Sequence, residues 1–184
     1  MQITPLSQFK KMPWKNGGGI THEYKIYPPT CLVEDTEFQW RVSVAEVNGR
    51  GEFSLFPGRE RWLALWQGPQ IEITNLNTHQ SHSLDSSPWH FSGEEKLHYQ
   101  QSIESRKGEE TSWDIGLIYN PKIIQCQMNN GILSTQSILK ASFDRELFFI
   151  LDKSPVMIEL NEDESYELKN LVDVHFYQLC LTIK

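Results

Sequence analysis

The 184-residue chain carries a formal net charge of −7 with 22% charged residues, which excludes the basic face that a nucleic-acid binder needs. Its 39% hydrophobic content is enough for a folded core, and no stretch approaches the ~20 apolar residues of a membrane span, so neither nucleic acid nor membrane is an expected partner. Met1-Gln-Ile-Thr-Pro5 lacks a basic segment followed by an apolar one, and Cys31, Cys126 and Cys180 are odd in number and far apart. A cytoplasmic protein with reduced thiols is the expectation.

Taken in chain order, the first distinctive stretch is Met12-Pro-Trp-Lys-Asn-Gly-Gly-Gly-Ile-Thr21, followed by Glu23. Consecutive glycines lose more backbone freedom on ordering than any other residue. Gly17, Gly18 and Gly19 therefore point to positive φ or to close approach of another group, with Lys15 and Asn16 at the rim. A turn into the first strand and a cradle for an anion both fit. Thr21–Tyr27 alternates and reads as a strand ended by Pro28-Pro29. Phe38–Val47 is the clearest strand, with Phe38, Trp40, Val42 and Val44 on one face and Gln39, Arg41, Ser43 and Ala45 on the other. Asn48–Gly51 reads as a turn and Glu52–Phe56 as a short strand before Pro57-Gly58. Arg61–Trp66, Gln70–Thr74, Trp89–Phe91, Leu97–Tyr99 and Trp113–Tyr119 continue as strands, with Asn75–His82 a polar loop. Short strands with Gly/Pro turns every eight to twelve residues predict an all-β barrel or sandwich. Residues 141–147 are the one candidate for a short helix.

Trp62–Ile73 resembles Phe148–Glu159, each an apolar strand, a turn with Pro69 or Pro155 and a second alternating strand. This weak repeat suggests two β-units that meet near residues 120–130, where Asn120-Pro121 and Asn129-Asn130-Gly131 supply turns. The expected division is 1–122 and 123–184, packed as one unit, with the second half the more divergent.

Four ordered motifs are specific: Met-Pro-Trp-Lys-Asn-Gly-Gly-Gly-x-Thr at 12–21, Phe-x-Trp-Arg-x-Ser at 38–43, Phe-Ser-x-Phe-Pro-Gly-x-x-Arg at 53–61 and Phe-x-Gly at 91–93. Together the chain resembles the HutD/Ves family of cupin-fold proteins. The resemblance implies a cupin-type double β-barrel (a bicupin) with few or no long helices. It also implies binding of a small carboxylic acid, formylglutamate- or urocanate-like, in a regulatory role in histidine utilisation or environmental stress. Asp114 falls in the family's Asp-x-Asn segment, where Gly116 stands in place of the usual Asn.

The residues themselves support an anion site more than a metal site. His79/His82 and His90/His98 lack the His-x-His spacing of metal-binding cupins, and Ser54, Phe56 and Arg61 stand where the first cupin motif would fall, so no metal or cofactor is expected. Arg41 either pairs with Glu23 in a structural role or points into the barrel toward a carboxylate. Arg61 poses the same choice, with Phe56 as a wall. Glu23 and Asp114 serve as acid and base if they meet in a dry cavity, or else orient the cations. Ser54 has no nucleophile-elbow context, and Cys126 has no base beside it. The expected ligand-binding set is Trp14, Lys15, Asn16, Thr21, Glu23, Arg41, Ser43, Phe56, Arg61 and Asp114, and the expected partner is a small anionic metabolite. A metal-independent enzyme is the alternative, a ligand-free structural protein the third reading, and a homodimer stays open.

Overall fold

The computed structural model describes residues 1–15, 17–35, 37–102, 111–134, 137–169 and 173–184. They form β1 (Gln2–Pro5), β2 (Lys10–Pro13), β3 (Gly19–Tyr27), β4 (Trp40–Val47), β5 (Arg50–Glu52), β6 (Glu60–Gln67), β7 (Ile71–Asn75), β8 (Ser81–Leu84) and β9 (Trp89–Ser92). Then follow β10 (Leu97–Gln101), β11 (Ser112–Tyr119), β12 (Ile124–Leu133), β13 (Ile138–Lys140), β14 (Arg145–Ile150), β15 (Val156–Asn161), β16 (Ser165–Glu167) and β17 (Val174–Ile183). The fold is all-β, as the strand spacing predicts. The one helical element among the described residues is the 3-10 turn Leu6–Gln8, so no described helix is long and apolar enough to cross a membrane.

The strands fall into two compact units. One is Lys10–Pro121. Its six-stranded sheet runs β2-β3-β4-β11-β6-β9 and its four-stranded sheet β5-β10-β7-β8, with antiparallel neighbours throughout. Ala45, Leu63, Leu65 and Phe91 of the larger sheet share an apolar cluster with Ile71, Ile73, Leu84, Leu97 and Tyr99 of the smaller. The two sheets pack face to face over this one shared interior. Each such buried side chain contributes about 1.5–3 kcal/mol. The opposite face of the larger sheet carries Val42, Val44, Ile115 and Leu117, all fully buried, so this face of β4 and β11 is apolar while the other carries the charged and polar side chains.

The second unit is Met1–Phe9 with Lys122–Lys184. Its five-stranded sheet runs β1-β15-β14-β17-β12, beside the hairpin-like pair β13-β16. Phe148, Ile150, Ile158 and Leu160 of the larger sheet cluster with Leu139, Ala141 and Leu168. The sequence division at 122 groups residues 1–9 with the first half, whereas β1 pairs with β15.

Several local expectations are corrected. The short helix expected over 141–147 does not form: residues 141–144 carry no helical element and 145–147 open strand β14, because Glu146–Ile150 is buried on both faces between β15 and β17. The strand expected at Glu52–Phe56 lies earlier, at Arg50–Glu52. Phe53 and Phe56, three residues apart, both turn their rings to Arg61, which the two-residue period of a strand forbids. The expected Asn48–Gly51 turn is thereby confined to residues 48–49. His82 lies in β8 rather than in the Asn75–His82 loop, stacked on Trp89 with centroids 4.3 Å apart. The repeat is one of sequence pattern only. β14 and β15 form a hairpin within one sheet, but β6 and β7 lie in different sheets. Gly68 makes that crossing: at φ +91° it runs so close to the Thr111 carbonyl that a Cβ would lie 2.2 Å from the oxygen.

Candidate functional site

Pairing register places the charged side chains of the first unit. In antiparallel strands, directly opposed residues share a face. Ile26, Arg41, Ile118, Arg61 and Phe91 are opposed in turn across β3, β4, β11, β6 and β9, and so make one row. Glu23, Ser43, Gly116 and Leu63 make the next, and Thr21, Ala45, Asp114 and Leu65 the one after. All three rows belong to the face of the larger sheet that looks toward the interior it shares with the smaller one. A bulge in β3 at Tyr24 shifts the register so that Ile26, not Lys25, lies opposite Arg41. An unbulged strand would set the lysine beside the guanidinium, two like charges on one face.

These rows floor a cavity of about 490 Å³, within the range of small-molecule sites. Trp14, Lys15, Thr21, Arg41, Ser43, Phe56, Arg61 and Asp114 all line it. Glu23 is buried behind it, accepting a hydrogen bond from Arg41 Nε at 2.7 Å. Asn16 lies outside the described residues. Both alternatives for Arg41 therefore hold at once: one edge of the guanidinium pairs with Glu23, and the residue still lines the cavity.

Trp14 is held by the loop between β2 and β3. Its amide donates to Gly19 O at 3.0 Å, and its indole Nε1 donates to Thr21 Oγ1 at 2.7 Å. Both readings of the glycines apply: Gly17 has φ +74°, and Gly19 passes so close to the Glu46 carbonyl that a Cβ would lie 2.2 Å from it. The Trp14 ring also meets Tyr99 edge-on at 6.0 Å, so it is both core and cavity wall.

Arg61 has no carboxylate within ion-pair distance among the described residues. Its guanidinium carbon stands 5.1, 5.3 and 5.0 Å from the ring centres of Phe53, Phe56 and Phe91, and Nη1 donates only a long 3.4 Å bond to Ser54 O. Aromatic faces hold a cation without neutralising it. Burial lowers its pKa to about 10, opposed by Asp114 and assisted by Arg41, and it remains charged. Asp114 is 5% exposed, and among the described residues no group donates a hydrogen bond to it. Burial raises its pKa to about 7, against the pull of Arg61.

Sequence reading missed Phe53 and Phe91 as the other two rings around Arg61. Both sit inside quoted motifs, and Phe91 is found only through register. Gly116 was noted as a departure, and its place is now clear. A Cβ there would meet Leu63 at an ordinary 3.5 Å, so no steric demand requires glycine, and its absence of a side chain widens the cavity.

Among the described residues no three of His, Cys, Asp and Glu gather as a metal site. His22 Nε2 lies 2.6 Å from Glu46 Oε1, and His90 packs on Trp62 and 3.4 Å from Glu60. Cys126 is buried, and burial first, then Cys180, pushes its thiol up, so it is no nucleophile.

The family model described as HutD matches residues 6–178. Protein Ves from Citrobacter koseri is 38% identical over 88 residues, covering 46% of this chain and 44% of that protein, so the chain matches less than half of that relative's length. Among solved structures, PA5104 from Pseudomonas aeruginosa PAO1, a conserved protein of unknown function, is 20% identical with a TM-score of 0.79, covering 100% of this chain and 98% of that one. HutD from Pseudomonas fluorescens SBW25, in a formate condition, is also 20% identical, with a TM-score of 0.74 over 100% and 98%. At that identity the two structures show a shared fold.

Proposed function

We propose, because this chain belongs to the HutD family, that its Lys10–Pro121 unit binds a small carboxylic acid and acts as a metabolite-responsive regulator rather than a catalyst. The observation that carries the reading is Arg61. It is a charged guanidinium on the cavity floor, in one row with Arg41, held by three phenyl rings and, among the described residues, met by no side-chain anion within ion-pair distance. Arg61 is half-buried, and a cation drawn partly out of water is answered well by a carboxylate, which can accept two parallel hydrogen bonds from a guanidinium. Lys15 adds a further positive group to the lining, and Trp14, Phe53 and Phe56 supply apolar walls for the rest of an acid. Formylglutamate- or urocanate-like acids, as expected for a role in histidine utilisation, fit this chemistry.

A thermal-shift screen with formate, formylglutamate, urocanate, glutamate and sugar acids tests it. At a hundredfold excess over Kd, binding stabilises by about 2.7 kcal/mol, roughly 5–10 °C for a chain of this size. If no acid on the panel raises Tm, the binding reading falls. Asp114 favours a second reading, a metal-independent enzyme with that carboxyl as general base. Mass spectrometry of a binding acid after incubation with the protein separates the two, because a binder returns it unchanged.

A further inference from the structure

We propose that Asp114 is the neutral acid in the ligand-bound protein, so that the cavity takes up a carboxylate and a proton together. The inference rests on the carboxylate-binding reading and deepens it. Asp114 belongs to β11, between Ala45 of β4 and Leu65 of β6, two apolar neighbours that offer it no donor. It lines the cavity, yet it is 5% exposed and accepts no hydrogen bond among the described residues. The charged groups around it are already committed or distant. Glu23 of β3 and Arg41 of β4 answer each other at 2.7 Å. Arg61 of β6 is opposed to Ile118, four residues along β11 from Asp114, and forms no ion pair with it. Lys15 lies in the loop before β3, and Glu34 and Glu52 are the other acidic residues of the lining.

A small anion drawn to Arg61 enters the space that Asp114 borders. Where two carboxylates share a site, their like charges raise the pKa of one of them, and that one takes a proton. The bound acid keeps its charge because the guanidinium faces it. Asp114 has only burial and a more remote cation, so the proton comes to it from solvent. Once neutral, its O–H can donate to the ligand's carboxylate, a short charge-assisted bond. Burial among apolar neighbours by itself holds Asp114 up to about 7. Anion binding raises it further.

Formate is the cleanest probe, since simple carboxylic acids titrate near pH 4 and formate stays ionised at every pH used. Titrations followed by NMR of the tryptophan indoles, between about pH 5.5 and 8.5, should show a Kd that is nearly flat below pH 7. Above pH 7 it should weaken about tenfold per pH unit, the slope of one linked proton. Asp114→Asn, which keeps the shape of the neutral acid, should lose that slope. As a check that needs no variant, calorimetry at pH 8 in buffers of different ionisation enthalpy should report uptake of about one proton per formate. Formate binding with no pH slope, a slope retained in Asp114→Asn, or zero proton uptake overturns the proton linkage and leaves the binding reading standing. If formate binds at no pH and no other acid of the panel does, the binding reading itself fails, and the linkage with it.

Discussion

The two β-units handle buried charge in opposite ways. In the unit of Met1–Phe9 and Lys122–Lys184, Glu146 is 1% exposed but accepts bonds from Ser142 N at 2.6 Å and Gln178 Nε2 at 2.5 Å. Glu159 lies 3.3 Å from Arg145. Every buried acid there has a local answer, and the interior beside it is aliphatic and aromatic. In the Lys10–Pro121 unit the Glu23–Arg41 pair is closed in the same way, buried His22 lies 2.6 Å from Glu46, and buried Arg59 donates to Phe38 O at 2.9 Å. Arg61 and Asp114 face the same cavity without a partner at ion-pair distance among the described residues. Burial that is answered locally builds a fold. Burial that is left open toward a cavity can be answered only by something that enters it.

Substitutions that remove one partner of a closed pair should therefore cost the most. Arg41→Ala strands Glu23 at 8% exposure, and should lower unfolding free energy by about 3–5 kcal/mol in urea at pH 7. Replacing Glu23 by leucine in the same variant should restore most of it. A loss of under 1 kcal/mol in the single variant would show that the pair is not closed.

Asp114 should behave in the opposite sense. Its folded pKa of about 7 lies above the ordinary 3.8, so its contribution to stability is fully present below pH 4 and is lost as pH rises to 7. Asp114→Asn escapes that loss. It should be more stable than the parent by about 2–4 kcal/mol at pH 8, with the difference shrinking toward zero at pH 4. Equal stability of the two proteins at pH 8 would mean that Asp114 is already answered within the chain.

Much of this contrast was legible in the residues, and the reasons differ from place to place. The alternation of Phe38–Val47 gave both faces of β4 correctly, because a period of two directly decides which side chains share a face. It therefore put Arg41 and Ser43 together. That Arg61 joins Arg41 depends on register through β11, which is a long-range property that no local pattern carries. The same holds for Phe91, and for the crossing at Gly68 that sends β6 and β7 into different sheets. The short helix expected over residues 141–147 misled because Ala-Ser-Phe-Asp-Arg-Glu-Leu has no two-residue alternation, and it is the long-range pairing of 145–150 between β15 and β17 that makes the strand. Asp114 was visible as a carboxylate in a motif. Its unanswered state is a fact of packing between Ala45 and Leu65.

The most direct measurement is isothermal titration of the best-stabilising acid into the parent and into Arg61→Ala, with circular dichroism to verify the fold. Arg61 has no anionic partner at ion-pair distance among the described residues, so its removal should leave the β-sheet signal and the melting cooperativity intact. Binding should weaken about tenfold or more, at least ~1.4 kcal/mol. An unchanged Kd in a folded Arg61→Ala protein would contradict the account, because the cation on the cavity floor would then have no part in holding the acid.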